Sequence, residues 1–352
     1  MTAGRTATRE RTIGAATDRR DVTTPQQREL RTHLERVVAV HLGGQRRISS
    51  VEWRPSAYRS SFQVEEIDIR LDNGTSLELI AKATAWSAMS PDAHRARPPF
   101  LRDEDREHAT YESIVSPFLE SARYFGTHVD ATGVRWLLLE RVAGMPLRHR
   151  GDFEAWREAA RWLARMHLRV GPDTVANTQA AAHLLEYDRR FYECWMHRAC
   201  AFHEDTDGAL SRLGDRYTRV VDRLLAEPTT FIHGDCYPAN ILVNGDGAGT
   251  VSVCPIDWEM AGLGPALIDL ACLLSGGWTA EQRGDLAEAY YREFGAHGGD
   301  VPSPAHYLRT LDCCLIHLSV RNLGWSPDWS PPPGQAHDWL GDALRLCEKW
   351  QL

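Results

Sequence analysis

The chain has 352 residues, a formal net charge of −8 and a sequence isoelectric point near 6.0. Its hydrophobic share of 43% and charged share of 25% are ordinary for a soluble globular protein, and its length suits two packed lobes. The acidic balance argues against a general nucleic-acid binder, and no apolar run reaches the roughly 18 residues of a membrane span. The eight cysteines form no C-x-x-C pair and the first residues lack the apolar core of a secretory signal, so we expect reduced thiols and a cytoplasmic protein.

The first part of the chain is polar. Residues 1–24 are rich in Thr and Arg and poor in large apolar side chains, so we expect a disordered tail. A helical pattern of apolar residues begins at Pro25 and ends at Gly43 and Gly44. The ordered chain is therefore predicted to start with a helix.

An antiparallel sheet is predicted after this helix. Its strands are Val51–Trp53, Phe62–Leu71 and Leu77–Ala81. The turn between the first two strands has no glycine and offers Ser60, Ser61 and backbone N–H groups instead. Lys82 closes the last strand, and a lysine in this position is unusual unless its ammonium group has a partner.

The segment after Lys82 contains candidates for that partner. Ser87–Pro99, with three prolines and several charges, predicts a mobile loop. A helix is predicted over Asp103–Glu120. Three glutamates in it are candidate partners for the lysine: Glu104, Glu107 and Glu112. Trp136–Leu139 is a short apolar run that predicts a buried strand.

Helical patterns dominate the rest of the chain. Asp152 is a plausible N-cap for a long helix over Phe153–Val170, in which His167 is interpreted as a core histidine. Further helical patterns fall within residues 179–226, 281–295, 304–323 and 337–350. A segment rich in Trp and Pro, residues 325–333, either walls a ligand site or forms an ordered loop held by aromatic packing.

The polar residues of greatest chemical interest lie in residues 231–257. A short apolar run leads into Asp235, and Asn240 follows it, directly before a second apolar run. A third apolar run, Val251–Ile256, leads into Asp257. This pattern predicts two hairpin-like elements that bring Asp235, Asn240 and Asp257 to one place.

Phosphoryl transfer is the chemistry that needs such a trio. One carboxylate orients the attacking hydroxyl group and accepts its proton. A second carboxylate and an amide oxygen hold Mg²⁺ against the phosphates of a nucleotide. The sequence therefore favours a phosphotransferase.

These motifs resemble those of the aminoglycoside phosphotransferase and choline kinase-like family, which is related in fold to the protein kinases. The resemblance is carried by three stretches: His233-Gly234-Asp235 with Asn240, Ile256-Asp257-Trp258-Glu259, and Asp269-Leu270-Ala271. It implies an α+β fold of two lobes, with a small antiparallel β-sheet in the N-lobe and a larger, mostly helical C-lobe. Residues 25–143 then form the nucleotide-binding N-lobe with its hinge, and residues 144–352 form the catalytic and acceptor-binding C-lobe.

The same resemblance implies a role for each residue of the trio and its surroundings. Asp235 is the catalytic base, His233 is a structural member of the catalytic loop, and Asp269 braces that loop from behind. Asn240 and Asp257 are the ligands of Mg²⁺.

For the nucleotide, which is ATP or GTP, the resemblance implies six contact residues. They are Lys82 at the phosphates, its helix partner Glu107, the polar turn residues Ser60 and Ser61, and the hinge backbone at Glu140 and Val142. Glu107 matches the glutamate of the family better than the two neighbouring glutamates do.

The implied activity is transfer of the γ-phosphate to a hydroxyl group of an antibiotic, amino sugar, nucleoside or natural-product intermediate. We expect a monomer or homodimer with no nucleic-acid or membrane partner. The charge of the acceptor is not determined by the sequence, because residues 179–226 carry charges of both signs. The residues that suit a cationic acceptor are Asp188, Glu193, Glu204, Asp205 and Asp207. Those that suit an anionic acceptor are Arg189, Arg190 and Arg198.

Two alternatives remain at this level. A kinase-like pseudoenzyme would bind a ligand or partner without phosphoryl transfer, and only the glycine-free turn favours it. A cysteine hydrolase or acyltransferase would use Cys236 with His233, but no glycine motif that could form an oxyanion site accompanies these residues.

Overall fold

The computed structural model has two lobes joined by a short connection at residues 141–144. It describes residues 20–21, 25–42, 46–57, 62–245, 251–325, 327 and 337–352. Ser60 and Ser61, which we expected to cover the phosphates, lie outside the described residues. Most of the predicted tail and most of the Trp/Pro segment lie outside them as well.

Six antiparallel strands form the sheet of the N-lobe. They are β1 (Arg20–Asp21), β2 (Ile48–Pro55), β3 (Val64–Leu71), β4 (Ser76–Ala83), β5 (Tyr124–Val129) and β6 (Arg135–Glu140). Their order in the sheet is β1-β2-β3-β4-β6-β5. Ile67 and Ile69 of β3 are buried on one face because side chains two residues apart point to the same side of a strand.

The helices of the N-lobe lie beside this sheet. They are α1 (Pro25–Leu42), α2 (Pro91–Ala96), α3 (Arg106–Thr110) and α4 (Ser116–Phe118), with a π-helical turn (Tyr111–Val115) between the last two. Leu34 and Val38 of α1 pack into the same core as Leu138 of β6. The predicted helix that begins at Pro25, the predicted strands and the predicted helix over Asp103–Glu120 are thus confirmed. The last of these helices contains the π-helical turn.

The prediction of a mobile loop over Ser87–Pro99 was wrong. Ser90 caps α2 by accepting a hydrogen bond from the Ala93 N–H at 3.3 Å. Arg97, which follows α2, is buried and paired with Glu259 of the other lobe. This tertiary contact orders a segment whose local sequence favours a loop.

The C-lobe is mostly helical. Its helices are α5 (Phe153–Arg169), α6 (Pro172–Ala176), α7 (Arg189–Phe202), α8 (Ala209–Ala226), α9 (Leu267–Leu273), α10 (Ala280–Ala296), α11 (Pro304–Leu323) and α12 (Trp339–Trp350). As predicted, Asp152 caps α5 by accepting from the Glu154 N–H. Helix α11 is central, since it packs against α7, α8, α9 and α12. Across the described part of the chain, no helix is both long and apolar enough to cross a membrane.

Two three-stranded sheets complete the C-lobe. Their strands are β7 (Met145–Pro146), β8 (Leu185–Glu186), β9 (Thr229–Ile232), β10 (Ile241–Gly245), β11 (Val251–Pro255) and β12 (Gly262–Pro265). One sheet has the order β11-β10-β7 and the other β8-β12-β9.

The predicted pairing of the strands on either side of the Asp235 loop was wrong. Strand β9 pairs with β12, whereas β10 pairs with β11 and β7. Gly264 permits this pairing because an added Cβ would lie 2.9 Å from Ile232. The loop of residues 233–240 therefore connects two different sheets rather than closing a hairpin.

Candidate active site

The β10–β11 hairpin brings Asn240 and Asp257 to the same place. Ile241 pairs with Pro255, and the Ile256 N–H donates to the Asn240 carbonyl at 2.9 Å. Asn240, just before β10, and Asp257, just after β11, thus lie at the same end of the hairpin. Both line one cavity between the lobes.

Asp235 is joined to this pair by Asn240. The Asn240 side-chain NH₂ group donates to the backbone oxygen and to Oδ2 of Asp235, both at 3.0 Å. The structure thus brings together the three residues that the sequence analysis singled out, although Asp235 arrives from a different sheet. Burial raises the pKa of Asp235, and the nearby Arg321 guanidinium only partly opposes this effect.

The ring of His233 is committed to backbone contacts. Its Nε2 lies 3.0 Å from the Ile256 carbonyl, and its Nδ1 accepts from the Asp235 N–H at 3.3 Å. Both contacts are satisfied by the neutral ring with its proton on Nε2. The ring packs against Trp258 at 4.4 Å between centroids. His233 therefore shapes the loop and has no ring nitrogen left for a substrate.

Asp269 lies behind the loop and is fully buried. Its two carboxylate oxygens accept from the N–H groups of His233 and Gly234 at 2.7 and 2.8 Å. His167 Nε2 is 3.1 Å from the same carboxylate, and His167 Nδ1 is 2.9 Å from the Tyr290 hydroxyl. These contacts satisfy a buried charge that would otherwise destabilise the fold.

Gly234 is required by two features of the loop. Its φ is +75°, and an added Cβ would lie 2.2 Å from both the Met260 carbonyl and the Tyr187 hydroxyl. We expect Gly234→Ala to lower the free energy of unfolding by about 2 kcal/mol or more, because strain and overlap add.

A matched control for this change is Gly284→Ala in α10, where an added Cβ meets no atom within 4 Å. We expect the control to stabilise the protein by about 0.5–1 kcal/mol, since alanine is the better helix former. Urea unfolding of both variants measures the difference. Equal stabilities would contradict the tight packing of the loop around Gly234.

Lys82 links the two lobes through an ion-pair cluster. Its Nζ lies 2.6 Å from Glu107 Oε2 and 2.5 Å from Asp257 Oδ1. Of the competing glutamates, Glu104 accepts from the Trp86 N–H instead. The structure therefore selects Glu107 from the three candidates.

The charges in this cluster shift one another's protonation. Burial alone would lower the pKa of Lys82, but the Asp257 and Glu107 carboxylates raise it above its ordinary value. Burial raises the pKa of Asp257, yet Lys82 outweighs burial and the net shift is downward. Asp257 is thus held ionised. Burial raises the pKa of Glu107, which Lys82 opposes.

The cavity between the lobes has a volume of about 600 Å³, which is within the range of small-molecule sites. Its polar lining includes Lys82, Asn240 and Asp257, and its walls include apolar residues of both lobes. Glu140 and Val142 line the same cavity where the chain leaves β6. The Glu140 N–H donates to the Arg123 carbonyl at 2.8 Å, which fixes the start of the connection.

Arg321 and Arg97 are site residues that the sequence analysis missed. Arg321 near the end of α11 contacts Asp235 at 2.9 Å, and Arg97 pairs with Glu259. Arg321 follows the apolar positions of a predicted helix, so the criterion applied to Lys82 would have found it. Arg97 carries no such signal, since it lies between Ala96 and Pro98 in a stretch rich in charged residues and proline.

The charged residues considered for the acceptor mostly have structural partners. Asp188 caps α7 by accepting from the Phe191 N–H at 2.7 Å. Asp205 and Asp207 accept from backbone N–H groups at the start of α8. Arg198 donates to the carbonyls of residues 324 and 325. These side chains stabilise helix ends and a loop.

The thiol of Cys236 does not suit nucleophilic chemistry. It is fully buried, and burial raises its pKa well above the ordinary value. A buried thiol in such surroundings stays protonated and inert. This argues against the hydrolase and acyltransferase alternative.

The fold and the cleft define an enzyme of the phosphotransferase class. A model of the "Phosphotransferase enzyme family" matches residues 91–307, which is more than half of the chain, and the chain belongs to this family. No curated protein matches the chain.

Several solved structures are similar in fold. The microcompartment-associated aminopropanol kinase is 15% identical with a TM-score of 0.54, and the match covers 86% of this chain and 92% of that one. Macrolide 2′-phosphotransferase MphH from Brachybacterium faecium is 17% identical with a TM-score of 0.51, covering 82% and 89%. Amicoumacin kinase hAmiN, in complex with AMP-PNP, Ca²⁺ and Ami, is 11% identical with a TM-score of 0.52, covering 84% and 87%. The predicted two-lobed α+β fold is thereby confirmed.

Proposed function

We propose that this protein is a small-molecule kinase that transfers the γ-phosphate of ATP or GTP to a hydroxyl group of its acceptor. The observation that carries the proposal is the convergence of Asp235, Asn240, Asp257 and Lys82 at one interlobe cavity. Family membership supports the reaction class, and this convergence supports the choice of these four residues for the reaction.

The donor set fits Mg²⁺. Asp257 is held ionised by Lys82. Asn240 has its NH₂ group committed to Asp235, which leaves Oδ1 as the acceptor atom of the amide. Hard oxygen donors of this kind are the ligands that Mg²⁺ prefers. Held by these two residues, Mg²⁺ would neutralise charge on the nucleotide phosphates.

The protein's own groups divide the remaining work. Lys82 draws the phosphates toward the N-lobe, with Glu107 keeping its ammonium group in place. Asp235 orients the attacking hydroxyl group and takes its proton. Asp269 holds the two N–H groups before Asp235 and so fixes the loop. Since the transition state of phosphoryl transfer needs alignment and charge neutralisation, this arrangement serves it without covalent help.

The nucleotide contacts are completed by the hinge. Glu140 and Val142 line the cavity, and we assign the Glu140 carbonyl and the backbone groups of Val142 to the base of the nucleotide, since the Glu140 N–H is engaged with Arg123. The family resemblance assigns Ser60 and Ser61 to the phosphates. The choice between ATP and GTP depends on the base, so parallel assays with both γ-labelled nucleotides decide it.

For the acceptor, we infer a hydroxylated molecule that is neutral or carries one positive charge. Asp188, Asp205 and Asp207 are engaged at helix starts, where backbone N–H groups already stabilise their charge. Asp235 and Glu259 are each paired with a guanidinium group. Each of these two carboxylates therefore already has a guanidinium partner, which suits an acceptor of low charge better than a polycation.

The test is phosphoryl transfer from γ-labelled ATP in the presence of Mg²⁺. The acceptors are a macrolide, 1-amino-2-propanol and the polycation kanamycin, each compared with a reaction without acceptor. We expect kcat/KM for one of the first two to exceed that for kanamycin by about 10-fold or more, a difference of roughly 1.4 kcal/mol. A higher value for kanamycin would contradict the inferred acceptor class. Absence of Mg-nucleotide binding would contradict the kinase itself.

A further inference from the structure

Arg321 is a buried arginine directed at the catalytic loop. It is 2% exposed, and it lies on α11, 86 residues after Asp235 in the chain. Its NH1 donates to the Gly234 carbonyl at 2.7 Å, and its NH2 donates to Asp235 Oδ1 at 2.9 Å. Its guanidinium carbon lies 5.4 Å from the centre of the Tyr237 ring. One rigid group thus contacts three residues of the loop.

The contacts on Asp235 come from two sides. Arg321 holds Oδ1, and Asn240 holds Oδ2. A carboxylate has about four lone-pair positions, so each oxygen can still accept a further hydrogen bond from a substrate hydroxyl. The side chain of Asp235 is 22% exposed, which leaves room for that approach. The pair of donors therefore fixes the orientation of the carboxylate without occupying it.

The helix that carries Arg321 is itself firmly anchored. His317, one turn earlier on α11, is 2.8 Å from the Tyr217 hydroxyl of α8. Just beyond the helix, Arg198 of α7 donates to the Gly324 carbonyl at 2.8 Å. A planar guanidinium group on a fixed helix presents its donors in a set geometry, which a flexible ammonium group does not.

We propose that Arg321 is a positioning residue for phosphoryl transfer. Its guanidinium group holds the Asp235 carboxylate and the preceding carbonyl in the orientation that meets the acceptor hydroxyl. This inference rests on the proposed role of Asp235 as the base.

The test compares variants by Mg-ATP hydrolysis, with water as the acceptor, and by calorimetry with Mg-AMP-PNP. We expect Arg321→Ala to lower kcat by about 10- to 100-fold while KM for the nucleotide changes less than about 2-fold. Added guanidinium ion at millimolar concentration should restore kcat at least about 5-fold, because it can enter the vacated site and supply the same donors. Arg321→Lys should have a lower kcat than Arg321→Ala with added guanidinium ion, since an ammonium group does not have the planar pair of donors that a guanidinium group has.

A matched control is Arg309→Ala on the same helix. Arg309 donates to the Trp350 carbonyl and lies roughly 18 Å along the helix from Arg321 at 1.5 Å per residue. We expect it to keep wild-type kcat and to give no response to guanidinium.

The outcomes separate this inference from the proposed function. If Asp235→Asn is inactive and Arg321→Ala keeps kcat within about 2-fold of wild type, the inference is overturned and the kinase assignment stands. A loss in Arg321→Ala that guanidinium does not restore, together with lost Mg-AMP-PNP binding, also overturns it, because the residue would then only support the fold. Full activity of Asp235→Asn would overturn the proposed base.

Discussion

Asp235→Asn is expected to lower turnover by about 100-fold or more while leaving the affinity for the Mg-nucleotide nearly unchanged. Asparagine keeps the shape of aspartate, and its one oxygen can still accept one of the two hydrogen bonds that Arg321 and Asn240 donate to the carboxylate. It has no oxygen that can take a proton from the acceptor at neutral pH. The loss should therefore fall on kcat rather than on binding.

The controls for this variant separate chemistry from folding. Asp222→Asn changes an exposed carboxylate that pairs with Arg189 on the outside of the C-lobe, and it should keep full turnover. Calorimetry with Mg-AMP-PNP should give the same isotherm for both variants and the wild type. If Asp235→Asn turned over at the wild-type rate, the base would have to be another residue.

Asp257→Ala is expected to abolish Mg²⁺-dependent binding of the nucleotide. The change removes one of the two proposed metal ligands and leaves the Lys82 ammonium with Glu107 alone, 2.6 Å away. Divalent cations bound by few carboxylates depend strongly on each of them. Calorimetry with ATP in the presence of Mg²⁺ and of EDTA measures the effect.

The comparison for this prediction is Asp285→Ala, which removes an exposed carboxylate that pairs with Arg157 at 2.9 Å. This control should bind Mg-ATP as the wild type does. A normal isotherm for Asp257→Ala would show that Asp257 is not a metal ligand and that the metal binds elsewhere in the cleft. Thermal unfolding of both variants shows whether lost binding reflects lost structure.

Elements with local determinants were predictable from the sequence. The first helix begins at Pro25, and the long helix of the C-lobe is capped by Asp152, because the residues that start and stop a helix lie within a few positions of its ends. Strand partners are not local in this sense. Phe231 and Ile232 indicate a buried strand but not that it pairs with β12, since a short apolar run fits any edge of suitable shape.

In the site, too, contacts between residues close in the chain were predictable and contacts between distant residues were not. The spacing of Asp235 and Asn240 within one loop was informative, because a five-residue separation already limits how far apart they lie. The Arg97–Glu259 and Arg321–Asp235 pairs join residues far apart in the chain, and such contacts follow only from the packed fold. Arginines that sit among apolar positions are the residues to inspect first in a related sequence.

The 2.5 Å contact between Lys82 and Asp257 has a consequence for the order of events in the cleft. The proposed function gives each of these groups a different partner, a phosphate for one and a cation for the other. A cation that engages the carboxylate frees the ammonium group, and a phosphate that engages the ammonium group frees the carboxylate. Metal and nucleotide should therefore promote each other's binding by the same factor, as thermodynamic reciprocity demands. The enzyme would then distinguish a metal–nucleotide complex from either component alone, before any acceptor arrives.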